Sequence, residues 1–504
     1  MHRHVRRTFA STGTTALLAA ALLTAPGAQA AAATTCQGKE VTIDGTGQAT
    51  VTGTPANDVI AAGQGSSVSA LAGDDTICVL PSTATTPTSV DAGEGNDSVD
   101  TSTLAAGVTV TTTLGAGDDT YAGGAASDQV ATREGADTVS TGAGNDGVGS
   151  GIAAQPNGDK LDLGVGDDVL DWHGIQAPGG SVDLGEGANT LADSDGGVVA
   201  INAVPRKLDR NAVTALQWKG TVTTYVVEST ATSAAFTGTN DAETFILRDP
   251  AAGATPTKVA VDMAGGNDTV TIRSNVIDGS SWAGGDGTDL FQVAHNYGEL
   301  LINLNSGQFE TGAPDVTVDQ TVRTFENVDA VTTSMTVKGT HQANVINVEG
   351  CDVRLAGRAG DDKLAFGTDI ENAPSVTCST TTMTARGGKN DDEITGTNGA
   401  DKLFGNRGRD SIDALAGNDV IFGGDDTDRV NGNAGDDKVR GGRGNDEVGG
   451  NDGNDRVQGD QGNDRLLGQA GNDVLVGGRG FDRANGADGF DKCFAVERRR
   501  NCER

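Results

Sequence analysis

Residues 432–467 read GNAGDDKVR, GGRGNDEVG, GNDGNDRVQ, GDQGNDRLL, and the reading of this nine-residue phrase decides the fold. The same register runs without gap or insertion from Gly387 to Phe494, twelve units in all. Its sixth place is always aspartate: Asp392, Asp401, Asp410, Asp419, Asp428, Asp437, Asp446, Asp455, Asp464, Asp473, Asp482 and Asp491. Its eighth place is apolar: Ile394, Leu403, Ile412, Ile421, Val430, Val439, Val448, Val457, Leu466, Leu475, Ala484 and Cys493. Glycine fills most of the first and fourth places.

Each unit divides into a turn of about six residues and a strand of about three. Glycine at places one, two and four is expected to supply the positive φ of a tight turn, with Asn or Asp at three and five tolerating it next best. One apolar side chain flanked by polar ones is the alternation of a strand with one buried face. Two units then form one coil, strand, turn, strand, turn, and stacked coils bury the apolar rows between two parallel sheets. The expected fold is all-β: a parallel β-roll or β-helix solenoid with stacked Gly-Asp turns.

In such a stack the sixth-place Asp of one unit lies beneath that of the unit two further on, at roughly 4.8 Å. Two ionised carboxylates that close repel by about 3.5 kcal/mol at an effective dielectric of about 20. A column of them calls for a cation. Carboxylates and the carbonyls of Gly-rich turns are hard oxygen ligands at flexible geometry, which selects Ca²⁺ over octahedral Mg²⁺ and over metals that prefer His or Cys. Folding of the array is expected to be linked to metal binding.

These residues resemble the haemolysin-type, or RTX, calcium-binding repeat GGxGxDxUx, in which U is a large apolar residue. The resemblance implies a β-roll whose turns coordinate Ca²⁺ through the sixth-place Asp and backbone carbonyls, and it carries that role onto the twelve Asp named above. The sequence departs from the pattern at Asn390 and Asp426 in the fourth place, at Ala414 in a first place, and at the small Ala484 and Cys493.

From residue 31 to about 195 the motif recurs at other spacings, in turns holding Asp58, Asp75, Asp97, Asp119, Asp128, Asp137, Asp146 and Asp168. A step of 22 separates Asp75, Asp97 and Asp119, which implies one calcium-type turn per coil opposite a β-branched strand such as 108–114. The step from Asp119 through Asp128 and Asp137 to Asp146 is nine, and these four join the candidate ligands. Between 196 and 340 the signal fades to turns at Asp268 and Asp289 among strand-like runs such as 221–227 and 300–304. Continued solenoid and an inserted β-domain both fit that stretch. In 341–386, GTHQANVIN and GRAGDDKLA restore the phase, and a Thr-rich linker, 378–384, leads into the array of 387–494 and a terminal cap of 495–504.

Met1 to Ala30 reads as a cleavable signal peptide: a basic start, an apolar run to Leu23, and Ala28-Gln29-Ala30 as the cleavage site. Arg6-Arg7-Thr8-Phe9 resembles a twin-arginine signal, and general and twin-arginine export both fit. No later stretch is apolar over eighteen residues, so no membrane span is expected. Loss of the leader takes three Arg and no acid, moving the formal net charge from -34 to -37. Nucleic acid, which needs a basic face, is excluded as a partner. All six Cys lie beyond the leader, and an even number suits an oxidising exterior. Proximity favours Cys36 with Cys78, Cys351 with Cys378, and Cys493 with Cys502.

Catalytic motifs do not emerge. His173, His295 and His341 lie in no paired metalloprotease pattern, and neither a GxSxG elbow nor a phosphate loop is found. The expectation is a secreted, non-enzymatic, calcium-binding solenoid with a structural or interaction role, partnered by calcium and by extracellular or cell-surface polysaccharide. The alternative is a β-helix lyase or epimerase using His173 or His295, with the array as a calcium-binding tail. A toxin or protease would carry a separate catalytic or pore-forming domain, which the sequence does not show.

Overall fold

The computed structural model describes residues 35–503 apart from 85, 229–230, 249–257, 277, 295–297, 313–317, 369 and 371–372. The signal-peptide reading of 1–30 and His295 fall outside the described residues. The rest is an all-β solenoid of about 24 turns, with no helix among the described residues.

Among the described residues two long sheets form its faces, 22 strands in the first and 26 in the second. Outside two antiparallel insertions, strands pair in parallel with their counterparts one coil earlier and one coil later, so that Lys438 lies opposite Arg456 and Arg456 opposite Val474. That register is two nonapeptides. Strands such as Arg429–Ala434 and Lys438–Arg443 span six residues, from the seventh place through the third place of the next unit. They are longer than the sequence reading allowed because the ladder continues through the glycines: the Gly444 N–H still donates to the Gln461 carbonyl at 2.8 Å. The turn proper is only places four to six.

The eighth-place row is the core of the array. Ile394 through Leu475 are at most 1 % exposed, and the small Ala484 and Cys493 end the row at 4 % and 7 %. One side chain per nine residues makes this a thin core. Between 196 and 340 it thickens into packed aromatics: Trp218, Tyr225, Phe236 and Phe245 in one run, Trp282, Phe291, Phe309 and Phe325 in another. Each ring buries more apolar area than a valine, and tilted ring pairs add a further contribution of about 0.5–1.5 kcal/mol.

The described residues of that middle stretch are solenoid, and both sheets run through it. Twice, a single strand of the second sheet is replaced by a three-stranded antiparallel meander. The first comprises Gly197–Asn202, Lys207–Arg210 and Val213–Lys219, and the second Glu299–Asn303, Gln308–Gly312 and 318–323. Each meander rejoins the parallel ladder on both sides: Val182 faces Trp218, and Val199 faces Ala234. These insertions account for the four strands by which the second sheet exceeds the first. They also explain the faded signal, since hairpin strands carry neither the nonapeptide glycines nor its Asp.

The stretch read as a linker is strand from Thr382 onward. Thr382–Lys389 pairs with Asp352–Ala356 and with Lys402–Arg407, and Met383 and Ala385 point inward. The three expected disulfides, Cys36–Cys78, Cys351–Cys378 and Cys493–Cys502, are present. The last holds the tail strand Arg498–Arg500 beside Arg483–Asp488.

Candidate metal centre

The sixth-place Asp residues end the turns and open the strands, and in the array all twelve are at most 2 % exposed. They fall into two columns, one on each side of the roll. In one, the backbone N–H of Asp392 donates to Oδ1 of Asp410 at 2.9 Å, and the same bond repeats from Asp410 to Asp428, Asp446, Asp464 and Asp482. In the other it runs from Asp401 through Asp419, Asp437, Asp455 and Asp473 to Asp491 at 2.7–2.9 Å. The carboxylates therefore do not meet as bare neighbours, as spacing alone suggested. Each spends one oxygen on the peptide of the coil above.

The second oxygen has no such partner. Oδ2 of every one of these Asp except Asp401 is buried without a hydrogen-bond donor. Burying an anionic oxygen unpaired costs several kcal/mol, and burial is the leading cause that pushes eight of these carboxyls far up: Asp392 and Asp428 to about 8, Asp419, Asp455 and Asp464 to about 7, and Asp410, Asp437 and Asp446 to about 6.

Glycine at the first place has a different reason from the one expected. Its φ is not positive; the left-handed residues sit at places two and four, such as Gly442 and Gly444. A Cβ on Gly405 would lie 2.1 Å from Oδ2 of Asp410 and 2.6 Å from the Gly423 carbonyl oxygen of the next coil, and Gly432 is hemmed in the same way by Asp437 and Gly450. The missing side chain leaves a niche walled by a carboxylate and a carbonyl oxygen. At the fourth place, φ of 143° at Gly462 and a Cβ position 1.2 Å from the Gly444 carbonyl admit glycine alone. The departures Asn390 and Asp426 adopt φ of 79° and 81°, which these residue types tolerate. Fifth-place residues are not left-handed; they form an outer ladder in which Asn454 N–H donates to Asp436 and Asn472 N–H to Asn454.

Among the described residues no three His, Cys, Asp or Glu side chains converge on one point. A cation here must draw the rest of its shell from backbone carbonyls, and an all-oxygen set of carboxylate and carbonyl groups fits Ca²⁺. The family model of the RTX calcium-binding nonapeptide repeat matches in four copies, over residues 113–148, 386–421, 413–448 and 449–484. The chain carries RTX calcium-binding repeats. No curated protein matches it.

RTX-type turns are not confined to the matched residues. Asp119 and Asp137 belong to a column running from Asp58 through Asp75 and Asp97 to Asp159, while Asp128 and Asp146 lie on the opposite side in a column continuing to Asp168 and Asn189. Glu243, Asp268, Asp289 and Glu326 form another, and Asn344 and Asp362 extend the column of Asp392 upward. In these too, Oδ2 of Asp75, Asp97, Asp119, Asp137, Asp146, Asp168, Asp268, Asp289 and Asp362 lacks a donor. Sequence reading missed Asp159, Asn189, Glu243 and Glu326, which are column members without a complete Gly-Asp phrase. Three of them close a foot. Asp159 accepts from Ser150 and Thr132, Asn189 donates to two carbonyls, and Glu326 receives the Asp289 N–H.

Proposed function

We propose that this is a secreted solenoid without a catalytic centre, whose folding is completed by calcium and which serves as an extracellular structural or interaction element. The row of buried, donorless Oδ2 atoms carries the reading: it is stable only if protonated or bridged by a cation, and near neutral pH the exterior supplies Ca²⁺. Three disulfides suit the same setting.

The surroundings of His173 favour a structural role. Its Nδ1 lies 2.6 Å from Asp195 and its Nε2 3.5 Å from Asp171, and bonds to these carboxylates push it up to about 10. Arg210, from the first meander, reaches Asp193 at 2.7 Å, Asp195 at 2.8 Å and the Gly174 carbonyl at 2.6 Å. The cluster ties the meander to the coil beneath it, and an imidazole held cationic is a poor general base.

The test is a calcium titration of the purified chain followed by circular dichroism. Calcium should raise β-sheet signal and melting temperature, and EGTA should reverse both; superimposable spectra with no ion bound by calorimetry would sink the proposal. Turnover of a uronic-acid polymer, abolished by His173→Ala, would favour the enzymatic alternative.

A further inference from the structure

Four columns begin with one phrase: Gly53-Thr54 leading to Asp58, Gly238-Thr239 to Glu243, Gly339-Thr340 to Asn344, and Gly396-Thr397 to Asp401. In each the threonine stands at the second place and the column's first acceptor at the sixth. The backbone N–H of Thr54 donates to Oδ2 of Asp58 at 2.6 Å and its hydroxyl to the same oxygen at 2.8 Å. Thr397 donates its N–H to Oδ2 of Asp401 at 2.6 Å and its hydroxyl to Oδ1 at 3.0 Å. Thr340 N–H reaches Oδ1 of Asn344 at 2.7 Å, and Thr239 N–H reaches the Glu243 carboxylate at 3.1 Å.

The backbone explains why these turns close on themselves. Every sixth-place Asp with a donorless Oδ2, Asp128 excepted, follows left-handed residues at places two and four, whereas the threonine turns have neither. A β-branched residue resists positive φ, so threonine at place two imposes another turn, one that brings its own N–H and O–H onto the carboxylate. In three of them the hydroxyl also accepts the N–H two residues on, from Asp241, Gln342 and Gly399. Asp128 heads the fifth column with Gly124 in place of threonine, and no N–H or hydroxyl of its own turn closes on its carboxylate, which lies beside the Tyr121 hydroxyl. Closure of the head turn goes with threonine at place two.

We infer that in these four turns threonine takes the place of the cation: they bind no calcium and act as metal-independent heads beneath which the calcium-bearing coils stack. The molecule already uses a neutral amide, Asn344, at one such head, where an ion-binding carboxylate is dispensable. The inference rests on the calcium reading above and sorts its acidic turns into ion-binding and self-closed ones.

The experiment compares Asp58→Asn with Asp119→Asn, two members of one column, in the full-length chain, counting bound calcium after equilibrium dialysis. Asp58→Asn should keep the wild-type number of ions and Asp119→Asn should lose at least one. Thr54→Val, which removes the hydroxyl at constant shape, should lower the melting temperature in saturating calcium with the ion count unchanged. Loss of calcium from Asp58→Asn equal to that from Asp119→Asn, or from Thr54→Val, overturns the inference. An unchanged count in both Asp variants instead overturns the calcium reading at this column, and the inference with it.

Discussion

At the scale of single residues, the sixth-place aspartate does three things at once: it ends a turn, receives the peptide N–H of the coil above through Oδ1, and presents Oδ2 to a niche where no donor reaches. Its titration follows from burial. In the unfolded chain such a carboxyl titrates near 3.8, whereas in the metal-free fold Asp392 and Asp428 are held at about 8 and Asp464 at about 7. The folded array thus retains protons that the unfolded chain has released. Stability contributed this way is present below the unfolded value and is lost as pH rises through the folded ones. In EGTA the melting temperature should fall between pH 4 and pH 8, and apparent calcium affinity should rise over pH 6 to 8 as those protons are displaced. Melts across pH with and without calcium check both trends, and a metal-free form that gains stability toward pH 8 would contradict the burial of these groups.

Among the elements, the coil between Asp362 and Asp392 breaks the regular step just before the array. The step along the column is 30 residues there, against 18 elsewhere in the array, and the excess falls between the strands Lys363–Phe366 and Thr382–Lys389. Cys351–Cys378 closes it with a separation of 27 residues. Chain-entropy arguments give about 3.5 kcal/mol for a loop of about that length. Replacing both cysteines by serine should therefore lower stability by about 3 kcal/mol in denaturant titrations, while leaving the number of bound calcium ions unchanged, because Asp362 and Asp392 remain joined through the ladder. A variant that also loses calcium would show that the bridge sets the register of the column as well as closing the loop. The meanders teach a related point. Arg210 and Trp218 bind the first one into the stack from within, so a hairpin insertion becomes part of the solenoid wall.

For the whole molecule, ion-dependent and ion-independent stability are distributed differently along one continuous stack. The array of 387–494 has one buried aliphatic side chain per unit and a donorless Oδ2 in nearly every turn, whereas the middle coils have few such turns and a core of stacked rings. Repeat proteins open region by region according to local stability. Hydrogen exchange in EGTA should show the C-terminal array losing protection first, with the aromatic coils around Phe236 and Phe291 protected longest, and calcium should bring the array level with them. Uniform loss of protection along the chain would indicate one cooperative unit and refute the division. Much of this molecule was legible beforehand, because a nine-residue period with invariant Asp and a fixed apolar place admits few structures: two parallel sheets, the eighth-place core, the alternating columns and the three disulfides all follow from local periodicity and proximity. What only the tertiary structure decided lies where contacts are made between coils. The bond from each Asp N–H to the carboxylate one coil on, the niche between the first-place glycine and the carbonyl of the next coil, and the meanders that interrupt the period all depend on residues 17 to 40 apart in sequence being stacked in space, and no single repeat contains that information.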